Sequence, residues 1–187
     1  MGNAEATKER ILEAAMEEFS SYGIAGARVD RIAKKANCNK NMIYIYFENK
    51  ETLFTTVLQN NLQRVYEEIT FTPDDLPGYA VRVFDFAIAN PGLYRLLAWY
   101  SLEQNTVNLA ERTLVQQKKI TELMNAQRSG LIGSTFTPGF LLTAIMVLAT
   151  AWTPINPFGP SYEPNALKMP AETREAVFQA VSLLAKA

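Results

Sequence analysis

The 187-residue sequence predicts an all-α protein of about nine helices in two parts, a three-helix unit at the N-terminus and a larger helical unit behind it. Three observations predict this class. Apolar residues recur at three- and four-residue steps through the first seventy positions, the spacing that a 3.6-residue period brings onto one face. The stretch from Arg28 to Leu53 packs three helix signals into a span too short for a core of its own. Phe140 to Trp152 is apolar nearly all round, and one small domain cannot easily hide every side of such a helix. The expected division is residues 1–50 and 51–187, with a long connecting helix over about 49–70.

The first helix runs from Ala6 to Tyr22, with Ile11, Ala15 and Phe19 four apart and Gly23 as its stop. The second is marked by Val29, Ile32, Ala33 and Ala36. Asn37 and Cys38 break it, since asparagine is the non-glycine residue that best tolerates a left-handed turn. Asn39 caps the third helix, Lys40 to Phe47, with its side-chain oxygen. Ile43 and Phe47 face inward, so Asn41 and Ile45 lie opposite, with Lys40 and Tyr44 on one flank. Ile11, Phe19, Ile32, Ile43 and Phe47 are the expected centre of this unit. The pair of short helices reads as a helix-turn-helix whose second helix has the polar and aromatic tip that a groove-entering helix needs.

Tyr44-Ile45-Tyr46-Phe47-Glu48-Asn49-Lys50-Glu51-Thr52-Leu53 resembles the signature of the TetR family of bacterial transcriptional regulators. The motif-level similarity covers about the first quarter of the chain. The remainder is similar to the family in length, helix order and C-terminal composition. Asn37 stands where the family usually has glycine, and Val29 where it usually has threonine, leaving Arg28 or Arg31 to supply positive charge there. The resemblance implies a cytoplasmic DNA-binding regulator, most readily a repressor, that acts as a homodimer and answers to a small-molecule effector.

Net charge is −1, but the distribution is uneven. Between Arg28 and Lys50, six basic residues (Arg28, Arg31, Lys34, Lys35, Lys40, Lys50) face two acidic ones, Asp30 and Glu48, a local balance of +4. Local patches, not totals, set the electrostatic footprint on phosphate. Phosphate contacts are expected from Tyr44, Tyr46, Lys50 and one of Arg28 or Arg31. Lys40 and Asn41 are the candidates for base edges, lysine for guanine and asparagine for adenine, and Ile45 for a thymine methyl. Asn39, at the entry of the same helix, is counted with them.

Asn49 caps the connecting helix, whose stripe is Phe54, Leu58, Leu62, Val65 and Ile69. Thr72 to Gly78 ends it, and the next helix, Tyr79 to Asn90, is apolar on two sides. Asp85 falls among its apolar residues, either paired with Arg82 or facing a polar group of a ligand. A short aromatic helix, Leu93 to Glu103, and a more polar one, about Thr106 to Ser129, follow, the second with Leu109, Leu114, Ile120, Leu123 and Met124 inward and Gly130 as its stop. The family resemblance implies an effector pocket here, with Phe84, Asp85, Phe86, Tyr94, Leu97, Trp99, Tyr100 and Met124 as candidate lining. Aromatic stripes at helical spacing serve equally well as core. An apolar, aromatic lining would suit a hydrophobic or aromatic compound.

Thr137 and Pro138 open the apolar helix ending near Trp152. A Pro-rich crossover from Thr153 to Met169 leads to the last helix, in which Arg174, Val177, Val181 and Leu184 recur at three, four and three. Two apolar C-terminal helices suggest a four-helix bundle formed with a second copy, through Phe140, Ile145, Leu148, Trp152, Val177, Phe178, Val181 and Leu184.

Other classes are constrained by what the chain holds. There is no histidine and no glycine-rich phosphate loop, so the common catalytic triads and most zinc sites lack their parts, and no metal or cofactor is expected. An enzyme using Asp85 and Glu103 as an acid/base pair has no nucleophile-base spacing behind it. A module that holds a protein with its N-terminal unit is the alternative, because Val29 removes one phosphate-binding hydroxyl. The lone Cys38 excludes an intramolecular disulfide, agrees with a reducing cytosol and reads as a small buried residue. No secretory signal is evident, and no segment is expected to span a membrane.

Overall fold

The computed structural model describes residues 2–103, 110–153 and 155–187. Among them the chain forms ten helices: α1 (Gly2–Gly26), α2 (Val29–Lys35), α3 (Lys40–Phe47), α4 (Lys50–Glu68), α5 (Leu76–Ala89), α6 (Pro91–Leu102), α7 (Ala110–Arg128), α8 (Pro138–Thr150), α9 (Gly159–Tyr162) and α10 (Pro170–Lys186). They divide into two compact units, Met1–Arg64 with Gly92–Asn108, and Val65–Pro91 with Leu109–Ala187. The division thus falls within α4 rather than at residue 50, and α6 joins the first unit through space.

In the first unit the expected centre is buried: Ile11, Phe19, Ile32, Ile43 and Phe47 are all nearly inaccessible, with Leu53, Phe54, Val57 and Leu58 of α4 beside them. Phe19 meets Phe54 edge-on at 5.2 Å. Each such side chain contributes about 1.5–3 kcal/mol by leaving water. α1 does not stop cleanly at Gly23. Gly23 adopts φ 66, ψ −176, and one further turn follows before the helix ends at Gly26. That break is gripped by Arg95 and Trp99 of α6 and by Glu103 just past its end, at four-residue spacing. Arg95 Nε and Trp99 Nε1 donate to the Ser20 carbonyl at 2.9 and 3.3 Å. The Glu103 carboxylate accepts from the Ile24 and Ala25 amides at 3.0 and 3.3 Å. A β-carbon on Gly23 would lie 2.6 Å from Glu103 Oε1 and 2.8 Å from the Trp99 ring, so only glycine fits.

In the second unit α10 and α8 pack against α5, and α7 and α10 against α8. α5 starts earlier than expected, at Leu76, because Asp75 caps it by accepting from the Gly78 amide at 2.9 Å and Pro77 fits the first turn. It is buried on both sides, through Tyr79, Val83, Phe84, Phe86 and Ala87 among others. Asp85 is the exception: it is exposed, and it pairs with Arg174 of α10 at 3.0 Å rather than with Arg82, which reaches Asp75. Arg174 accordingly lies outside the buried row of α10, which is Thr173, Val177 and Val181.

On α7, Leu123 is fully buried, but Leu114 is exposed and does not face inward. Leu109 and the expected start near Thr106 lie outside the described residues. Gly130 ends the helix at φ 71. α8 begins as expected, with Thr137 accepting from the Phe140 amide. The crossover to α10 is not wholly irregular, since α9 forms within it and seats Gly159 so tightly on the end of α8 that a β-carbon would lie 2.2 Å from the Ala151 carbonyl. No helix among the described residues is long and apolar enough to cross a membrane.

Candidate nucleic-acid interface

Three asparagines act locally, two in the turn between α2 and α3 and one at the start of α4. Asn37 takes φ 49. The Asn39 side chain accepts from the Asn41 amide at 2.9 Å, and Asn49 Oδ1 accepts from the Thr52 amide at 2.7 Å to start α4. Glu48, in the same corner, also sits in the left-handed region at φ 62. With Ile43 and Phe47 inward, the opposite face of α3 presents Asn41, Tyr44 and Ile45. Ile45 is 72% exposed and Tyr44 42%. An isoleucine so exposed, one turn from a polar tip, gains nothing from folding and is available to a partner.

The basic residues do not contribute equally. Arg31 donates through Nε to Glu18 at 2.7 Å and through a terminal nitrogen to the Gly26 carbonyl at 2.9 Å, with its guanidinium 4.3 Å over the Tyr22 ring. Glu18 also accepts from the Arg28 amide at 2.8 Å, so this carboxylate of α1 sets where α2 begins. Lys35 pairs with Glu17. Lys40 pairs with Asp30 at 2.9 Å, and that hydrogen bond holds its pKa above the ordinary lysine value. The Lys50 ammonium lies 3.3 Å from the Ala27 carbonyl, which orients it without neutralising it. The Arg28 and Lys34 side chains are exposed and have no acidic partner among the described residues. The unneutralised cations are therefore Arg28, Lys34 and Lys50. Arg28 and Lys50 carry expected roles; Lys34 adds a third free cation that the local charge alone does not single out, because the acids that neutralise Arg31 and Lys35 come from α1, outside the Arg28–Lys50 window. Tyr46 is half-buried against Phe47, with ring centroids 6.3 Å apart. Cys38 is half-buried, and burial pushes its thiol pKa up, away from the reactive thiolate.

Residues 11–57, the span of this site, match the bacterial regulatory proteins of the tetR family, and residues 75–182 match the tetracyclin repressor-like C-terminal domain. The chain belongs to the TetR family. It is a helix-turn-helix DNA-binding regulator. It is 39% identical over 156 residues to the HTH-type transcriptional repressor SCO4008 of Streptomyces coelicolor, covering 82% of this chain and 81% of that one. It is 33% identical over 108 residues to the HTH-type transcriptional repressor NicS of Pseudomonas putida, covering 54% and 51%. A crystal structure described as a transcriptional regulator, SCO4942 of S. coelicolor, superposes with a TM-score of 0.82 at 36% identity over 95% of this chain and 97% of the other.

The residues expected around a TetR-family effector fall in both units. Phe84, Asp85, Phe86 and Met124 belong to the second; Tyr94, Leu97, Trp99 and Tyr100 belong to the first. Phe84 and Phe86 are buried and Met124 is half-buried. Asp85 is held by Arg174, and Trp99 is engaged with Ser20 and Gly23. Leu97 and Tyr100 are half-buried, while Tyr94 is buried, which raises its pKa to about 12 and keeps it a neutral phenol. Asp85 and Glu103 each have structural partners, which leaves the acid/base pair without free members.

The expected dimer residues also separate. Ile145, Val177 and Val181 are at most 1% exposed and fill the core of their own unit, a correction to the reading that set them on the partner-facing side. An apolar helix buries one face in its own unit along its whole length, and these residues lie on that face. Phe140 and Phe178 are exposed, and Leu148, Trp152 and Leu184 are half-buried. Val147 and Leu183, apolar positions of the same two helices that are not among the expected dimer residues, are also exposed.

Proposed function

We propose that this regulator is a homodimeric repressor that holds a palindromic operator through α3 of each copy and releases it when a small hydrophobic or aromatic effector binds, in the cytoplasm of a bacterium. The observation that carries the DNA reading is the exposed Asn41–Tyr44–Ile45 face of α3, set on a buried Ile43–Phe47 face, with three unneutralised cations in the same unit. The likeness to SCO4008, a transcriptional repressor, supports repression over activation. Two such helices would enter successive major grooves about 34–36 Å apart.

Asn41 reads adenine and Ile45 meets a thymine methyl, while Lys40 exchanges Asp30 for a guanine edge. Asn39 holds the helix entry against the backbone. Tyr44, Tyr46, Arg28, Lys34 and Lys50 fix the register on phosphates. Arg31 supports this arrangement from behind through Glu18. Phe140, Val147, Phe178 and Leu183, with Leu148, Trp152 and Leu184 at their edges, pack against the second copy. Phe84, Phe86 and Met124 are the candidate effector residues of the second unit.

Replacing both Arg28 and Lys34 by alanine removes two phosphate contacts. It should reduce the slope of log K against log salt by about 2 and weaken operator and random DNA alike. Lys50→Ala should reduce the slope by about 1. A salt titration read by fluorescence anisotropy checks this, and an unchanged slope in both variants would remove the phosphate role.

A further inference from the structure

α7 carries two adjacent lysines in opposite situations. Lys118 is exposed and reaches toward Glu122 at 3.9 Å, one helical turn on. Lys119 is half-buried and turns into the second unit, where its ammonium donates to Tyr79 Oη at 2.8 Å. The same nitrogen lies 5.1 Å from the centroid of the Tyr79 ring and 5.5 Å from that of Phe71, and these two rings meet edge-on at 4.9 Å. Tyr79 is 1% exposed, and Met146 Sδ lies 3.7 Å from its hydroxyl. Loop, α5, α7 and α8 thus converge on one amine.

Among the described residues Lys119 has no carboxylate at ion-pair distance. One phenol oxygen and two ring faces are modest compensation for an ammonium drawn out of water, and burial lowers its pKa. A leucine or methionine would fill the same space without that cost. Two of the three N–H donors of the ammonium remain without an acceptor among the described residues. The other cations nearest in sequence order on α5 and α10 are neutralised: Arg82 by Asp75 and Arg174 by Asp85. One positive charge without an ion-pair partner, opposed by burial and answered only by the more distant charge of Glu122, in a setting of aromatic rings and a thioether selects a ligand with one negative charge and an apolar body.

We propose that Lys119 and Tyr79 anchor the carboxylate of a hydrophobic monocarboxylic acid in the second unit. This rests on the reading that the second unit takes an effector, and it names the effector's class. Lys119 supplies the charge and two hydrogen-bond donors, Tyr79 orients the amine, and Phe71 and Met146 contact the body. A dianion such as a phosphate monoester would meet only one cation here and is disfavoured.

Intrinsic fluorescence titration of the full chain at pH 7, without DNA, tests the anchor with two acid and amide pairs: 2-naphthoate against 2-naphthamide, and octanoate against octanamide. A charged hydrogen-bonded pair in a partly buried site corresponds to about tenfold or more in affinity. At least one acid should bind about tenfold more tightly than its amide. Lys119→Met should abolish that preference, Lys119→Arg should keep part of it, and Lys119→Met without ligand should melt no lower than the wild type, which separates loss of the anchor from loss of the fold. Acids that bind no better than their amides, or a preference that survives in Lys119→Met, would overturn the proposal. Release from operator DNA is read separately. An acid that binds through Lys119 but leaves the DNA complex intact supports the anchor and contradicts effector release, whereas amides that release DNA as well as the acids do support release and overturn the anchor.

Discussion

Phe47→Ala should unfold the first unit at temperatures where the wild type is native. Phe47 is 3% exposed and belongs to the same unit as the fully buried Ile32, Phe19 and Phe54. Removing a buried phenylalanine costs about 3–5 kcal/mol, the lost transfer energy together with the cavity left behind. Against a total of about 5–15 kcal/mol, that lowers the melting temperature by roughly 6–20 °C for a chain of this size. Circular dichroism melts measure it, and a variant melting within about 2 °C of the wild type would show that Phe47 is not where α3 is held. Ile45→Ala, two residues away on the opposite face, is the counterpart. Its stability should stay within about 0.5 kcal/mol of the wild type while operator affinity falls, because Ile45 contributes surface to a partner and not to the core.

Gly23→Ala should damage the joint between α1 and α6 far more than a glycine substitution usually does. Gly23 sits at φ 66, ψ −176, a region that side chains other than glycine's occupy at a cost of about 1–3 kcal/mol. The new β-carbon would add a clash, at 2.6 Å from Glu103 Oε1 and 2.8 Å from the Trp99 ring. Relief requires both side chains to shift, which strains the bonds of Glu103 to the Ile24 and Ala25 amides and of Trp99 to Ser20. Gly130 is the internal control: it has a similar φ of 71 but nothing within 4 Å of an added β-carbon. Gly130→Ala should therefore show the backbone cost alone, about 1–2 kcal/mol. Urea denaturation of the two variants side by side distinguishes the effects. Equal losses would mean that α6 yields freely and does not grip α1.

What the sequence made legible follows from how local each feature is. Asn37 turns its own backbone, and Asn39 and Asn49 accept from amides two and three residues on, so the turn and both helix starts could be read from residue type and spacing alone. The family signature over residues 44–53 sits on these same caps. Partners brought from far along the chain were not legible. Asp85 finds Arg174 across 89 positions, and Glu103 finds Ile24 across 79. The neutralisation of Arg31 and Lys35 depends on Glu18 and Glu17, in a helix outside the basic stretch, so a local charge of +4 overstated the cations free to meet phosphate. Periodicity likewise finds the apolar rows of α8 and α10 but does not distinguish a face turned to the chain's own core, as at Ile145, Val177 and Val181, from one left exposed, as at Val147 and Leu183. α9, four residues long, is below the length at which any period can register.

The most direct test of the central claim is a footprint of the purified protein on the DNA flanking its own coding region, with random-sequence DNA of the same length as the control. The account predicts a protected inverted repeat whose half-sites are about one helical turn apart, bound at least about a thousandfold more tightly than the random DNA at physiological salt. Both the protection and the preference should be lost when Asn41 and Ile45 are replaced together by alanine. Protection that survives that double substitution would contradict the assignment of α3 as the helix that reads DNA.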